Sequence, residues 1–397
     1  MRKAKEQKTN QMGRRTFLLG LVAVLLVLLV VGGDPAGAAT PASPAASGEI
    51  RIGESVSTTG AFSQEAPHYV NDVRLAEKQI NQAGGINGKN LKVLIFDNQS
   101  TNPGGLNALN KAVEQEKVLA FIGGNKSTQI LAISDAIKTY GIPTFVGGTN
   151  VSITKQGNPW LFRMRVSDDI VAAILVKYVK NELKLTKIGI LHSNEAFGAG
   201  GADAIEKYAK QLGVKVVARE RLNLGDRDFT AQLLTLKRAG TEVLIPYIVG
   251  MEEFARMLVQ YRQIGAPFKF VGPPAIAQKP MLDLAKEAAE GITGFADSVP
   301  GMNAANRKFV EAYRKEYNAE PDPQAPWSYD SVYLLANVIK KVGEDRAKIR
   351  EAVLATKGFE GALGTYTFTP EGDGLRMGPM VIIKDGRPQL AKMVGLN

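Results

Sequence analysis

From Glu49 onward the chain alternates short apolar runs with longer segments whose apolar residues recur every three or four positions. The runs EIRIGESV, LKVLIF, VLAFIGG and IPTFVGG have the β-branched and aromatic content of buried strands. Between them, Val73, Ala76, Ile80 and Ala83 mark one helix over about residues 68–83, which Gly84-Gly85 can end in left-handed backbone. Leu106, Leu109 and Val113 mark a second helix, opening at Asn102-Pro103, and Ile130, Ile133 and Ile137 a third. Strands and helices in strict alternation predict a parallel sheet covered on both faces.

After WLFRMRVSDD, to which the periodicity assigns no element, the pattern starts again. Helix IVAAILVKYVKNEL leads to strand KIGILHS, a helix with Ile205, Ala209 and Leu212, strand VKVVARERL, and a helix near Leu233. Strand EVLIPYI, helix EEFARMLVQYRQIG and strand FKFVG complete the second series. The fold class expected is α/β, two doubly wound parallel-sheet lobes with a hinge and an interlobe cleft. Residues 49–166 would form lobe 1, completed by about 299–368, and residues 167–298 lobe 2, completed by about 369–397. The chain would cross between lobes near 166–168, 298–300 and 369–373.

The segment before this pattern differs in kind. A basic stretch with Arg14-Arg15 precedes an uninterrupted apolar run from Phe17 to Val31, and Ala36-Gly37-Ala38 follows as an A-x-A site. Residues 1–38 thus read as a cleavable export signal, by the general or the twin-arginine route, with an uncleaved anchor helix as the alternative, and residues 39–48 as a flexible linker. Without those 38 residues the chain has 43 basic and 37 acidic side chains, a mild excess with no dense basic run, so no nucleic-acid partner is expected. The sequence contains no cysteine and only two histidines, His68 and His192. That excludes disulfides and thiol chemistry and leaves little for a metal site or a Ser-His-Asp triad.

Several apparent motifs fail on their own requirements. Gly88-Lys89 mimics the end of a phosphate loop, but Ala83 stands where its first glycine belongs and Asn90 where Ser or Thr should follow. GAGGAD from Gly198 has Asp203 in place of the third glycine of a dinucleotide fingerprint, and GESVS from Gly53 misses the hydrolase elbow. His192, at a strand end, reads as a hydrogen-bonded structural residue. What remains is a series of polar loops at the carboxyl ends of strands, DNQS, GGNKST, GGTN, HSNEAFG and GMEE, each before a helix. Such loops offer free amides and the positive end of a helix dipole to a small anionic or polar group, which is the chemistry of capture.

In these loops and the segments around them, among them AEKQINQAGGINGKNLKVLIFDNQS, VLAFIGGNKSTQILAISDAIKTYGIPTFVGGTN and KIGILHSNEAFGAGGADAIEKYAKQLG, the chain resembles type I periplasmic solute-binding proteins of branched-chain amino-acid ABC transporters. The resemblance implies an extracytoplasmic component that captures an amino acid or similar small polar ligand and delivers it to the membrane permease. It also implies a periplasmic location, no cofactor and a monomer. Ser127 would hold the ligand carboxylate, Thr149 its backbone, and the Gly148 carbonyl its ammonium. Phe197 would be the cleft aromatic, and Glu252 or Glu253 the acid that meets the ammonium. Glu65 stands nearest the position of an aromatic after the first strand, which would favour a polar side chain on the ligand. A sensor of the same fold, or an enzyme acting on a small amide or carboxylate, are the alternatives.

Overall fold

The computed structural model describes residues 48–395, and residues 1–38, expected to be an export signal, and all but the last residue of the expected linker 39–48 lie outside them. Five parallel strands form the first sheet: β1 (Glu49–Val56), β2 (Asn90–Asp97), β3 (Ala120–Ile122), β4 (Thr144–Val146) and β5 (Leu161–Arg163), in the order β2-β1-β3-β4-β5. A second sheet holds β6 (Lys187–Ser193), β7 (Lys215–Leu222), β8 (Val243–Tyr247), β9 (Lys269–Gly272) and β10 (Thr293–Phe295). The hairpin β11 (Lys357–Glu360) and β12 (Thr365–Thr367) stands apart. The last strands, β13 (Met377–Lys384) and β14 (Arg387–Gly395), rejoin the second sheet, whose order is β14-β13-β10-β9-β8-β6-β7.

The two doubly wound sheets agree with the sequence pattern, and the departures have local causes. Strands β1 to β10 pair in parallel, but β13 pairs antiparallel to β10, and β14 pairs antiparallel to β13 because the two-residue turn between them permits only that. Leu161–Arg163, given no element by the periodicity, is an edge strand three residues long. The helix Asn102–Asn110 passes into a π-helical turn over Lys111–Gln115. Leu109 and Val113 are buried while Leu106 faces solvent, against its expected place on the inner face, because the buried stripe runs through Gly105, Ala108, Leu109 and Ala112, one position round from it.

The first helix runs Ala66–Gln82, with Val73, Ala76 and Ile80 buried, whereas Ala83 is exposed beyond its end. Gly85 (φ 71°) donates its amide to the Ile80 carbonyl and lies so close to the Lys89 carbonyl that a Cβ would collide with it. This close approach lets the chain turn directly into β2.

Three segments pass between the sheets and are tied to one another. Residues 163–168 carry the chain from β5 to the helix Asp168–Asn181, residues 297–300 leave β10, and residues 369–376 lead into β13. The Arg163 amide donates to the Gly372 carbonyl (2.8 Å), and its guanidinium pairs with Asp373 (2.8 Å). Two residues on, Arg165 forms a buried two-pronged pair with Asp297, at 3.0 and 2.8 Å.

Candidate functional site

The carboxyl ends of β3, β4, β6 and β8 bring their following loops together between the sheets. The helix Ser127–Tyr140 starts there after Lys126, in extended backbone, with no side chain capping its amides, so its positive end faces the cleft. Ser127 is buried, and its hydroxyl accepts from the Asn150 amide at 3.2 Å. Gly148 lies against the start of this helix, where a Cβ would press on Ile130 and Ile153.

Ser127, Thr149 and Phe197 line one cavity of about 30 Å³, with Lys126, Arg165, Gln278 and Gln324. That is room for about one or two waters. Gln278 and Gln324 meet side chain to side chain, and the Phe197 ring packs on Tyr247 at 5.3 Å between centroids. The two sides of the cleft are joined by hydrogen bonds. Thr128 Oγ1 donates to Glu195 (3.1 Å) and accepts from the Ala196 amide (3.2 Å), and Asn150 Nδ2 donates to the Ala196 carbonyl (2.5 Å). The lobes are in contact here.

The acidic residues fall elsewhere. Glu252 is exposed and accepts from Gln64 across the cleft (3.0 Å), while Glu253 accepts from the Gly225 amide (2.7 Å). Both line a neighbouring pocket of about 350 Å³ at the cleft mouth, together with Glu65 and Phe62. Glu65 is buried and points inward, but both of its oxygens are engaged, one by Lys126 Nζ (2.6 Å) and one by Asn125 (3.0 Å). The Lys126 ammonium lies over the Phe62 ring, 4.3 Å from its centroid.

Lys126, Arg165 and Phe62 were not singled out from sequence. Arg165 alternates with apolar residues in FRMRV, and a charge in a strand-like run signals a buried ion pair. Burial alone would lower the Arg165 pKa, but the charge and hydrogen bonds of Asp297 outweigh it and raise it. Lys126 stood inside GGNKST, and Phe62 three residues before Glu65, an aromatic after the first strand. His192 is buried away from the cavity, bonded to the Ser193 carbonyl and accepting from Arg219 at Nε2, and burial lowers its pKa. It is a structural histidine.

Residues 49–384 match the sequence model of a family described as periplasmic binding protein. A Leu/Ile/Val-binding protein homolog of Brucella abortus is 28% identical over 82% of this chain and 87% of its own length. The leucine-, isoleucine-, valine-, threonine- and alanine-binding protein of Pseudomonas aeruginosa is 28% identical with the same coverage. Among solved structures, the branched-chain amino acid transporter substrate-binding protein LivJ of Streptococcus pneumoniae, in complex with isoleucine, superposes with a TM-score of 0.81 at 27% identity. It covers 88% of this chain and is itself covered completely, 100%.

Proposed function

Because the chain belongs to the periplasmic binding protein family, we propose that it is the extracytoplasmic solute-binding component of an ABC transporter, closing two lobes on an amino acid or a similar small carboxylate. The observation that carries this reading is the Ser127 cavity, which lies at the carboxyl ends of strands from both sheets, a helix amino terminus at one wall and hydrogen bonds joining the lobes around it. Those groups bind and orient a carboxylate.

About 30 Å³ cannot admit an amino acid, so the lobes must part for the ligand to enter. The three crossing segments near 163–168, 297–300 and 369–376 would be the hinge. Ser127, Thr149 and Phe197 are the proposed contacts to the ligand. Glu252 and Glu253 would guard the mouth, with Glu252 holding Gln64 when the lobes close. The membrane permease is the partner, and residues 1–38 would direct export to the periplasm. Mass spectrometry of solute released from the purified protein by denaturation tests the reading. A stoichiometric small carboxylate is expected, and a protein that neither releases nor binds one would overturn it.

A further inference from the structure

The Ser127 cavity is one-sided in charge. Among the described residues its charged side chains are Lys126 and Arg165, and no carboxylate lines it. Arg165 spends three of its five N–H groups, two on Asp297 and one on the Gly147 carbonyl (2.8 Å). Lys126 keeps two of its three ammonium protons, since Glu65 takes one. Glu65, each of whose oxygens accepts one bond, lines the separate mouth pocket together with Glu252 and Glu253. The Thr149 carbonyl already accepts from the Asp168 amide and from Arg163. The opposite wall is apolar, built by Phe197, Ile248, Val249, Met251 and Pro274.

Resting on the reading that this cavity is the solute site, we infer that its solute is a monocarboxylate with an apolar body and no ammonium group. The carboxylate lies between Lys126 Nζ and the first turn of the helix Ser127–Tyr140, and the body lies against the wall from Phe197 to Pro274. A carboxylate there meets spare charged donors and the positive end of the helix. An α-ammonium would instead be desolvated beside two cations whose carboxylate partners, Glu65 and Asp297, are already paired to them, a burial that proteins avoid.

The test uses pairs of probes that differ only in the ammonium: leucine against 4-methylpentanoate, and phenylalanine against 3-phenylpropanoate, titrated by calorimetry into protein freed of copurifying solute. The desamino member is expected to bind at least about tenfold more tightly. Lys126→Met is expected to lose at least about tenfold in that affinity, and Lys126→Arg to retain it, which separates a charge effect from misfolding. An amino acid that outbinds its desamino partner overturns the inference and leaves the solute-binding reading standing. Undiminished carboxylate affinity in Lys126→Met also overturns it. If neither pair binds, the solute released on denaturation decides: a carboxylate without ammonium supports the inference, and a zwitterion overturns it. No solute at all overturns the reading beneath it.

Discussion

Ser127 is the residue whose removal reads out most directly. Its hydroxyl sits at the cavity wall, and a buried carboxylate deprived of one charged hydrogen bond loses about 1–3 kcal/mol. Ser127→Ala should therefore weaken ligand binding about 5- to 150-fold in a calorimetric titration. Asp168 offers a pH signature of a different kind. Burial pushes its carboxyl up to about 7, despite the opposing pull of Thr149, Arg163 and Arg165. In the unfolded chain it ionises near pH 4, so the native state binds the extra proton between about pH 4 and 7. Stability from this group is whole below that window and lost as pH rises through it, by on the order of 4 kcal/mol. Thermal melts from pH 5 to 8 should show that decline in the wild type and a flatter profile in Asp168→Asn, whatever its baseline. The loops that carry Ser127, Thr149 and Phe197 were legible because each is a polar stretch after a strand, while the residues within them came from the family resemblance. Lys126 and Arg165 were not, since their partners stand 61 and 132 positions away and a single sequence gives no pairing over such distances.

At the scale of elements, apolar periodicity located the long helices and strands because burial imposes it on each segment separately. It was blind where one segment's conformation depends on another. The strand β5 is short enough to be held by its neighbour β4 and by the passing residues 372–374. The π-helical turn at Lys111–Gln115 shifts the phase of the residues that follow Asn110, a change that no fixed period describes. One element end joins stability to closure. Glu195 caps the helix Ala196–Leu212, accepting from the Phe197 amide at 2.8 Å and the Gly198 amide at 2.6 Å, and it also takes the Thr128 hydroxyl from the other side of the cleft. Glu195→Ala should cost about 1 kcal/mol of folding stability through the lost cap. It should weaken ligand binding as well, because the closed form loses a bond that the open form never had. Denaturant melts and calorimetry on the same variant separate the two effects.

For the whole molecule, Arg163 and Arg165, two residues apart on one crossing, bind the other two crossings through Asp373 and Asp297. Arg165→Leu leaves Asp297 buried without a partner, which should cost about 3–5 kcal/mol in a urea titration. The double variant Arg165→Leu, Asp297→Leu should recover part of that loss, since no charge then remains uncompensated. Ligand should also make the particle more compact, and small-angle scattering that finds no contraction at proven saturation would count against the two-lobe clamp. The sheet order has a consequence in the time of synthesis. Strand β10 lies between β9, which ends at Gly272, and β13, which begins only at Met377. The helix Pro326–Val342, packed on the first helix of the chain, likewise comes long after the strands it covers. A nascent chain thus presents an open strand edge until its last hairpin emerges, with the hazard of mispairing that such edges carry. A stop codon shortly before residue 377 would leave β10 as a permanently open edge of the second sheet.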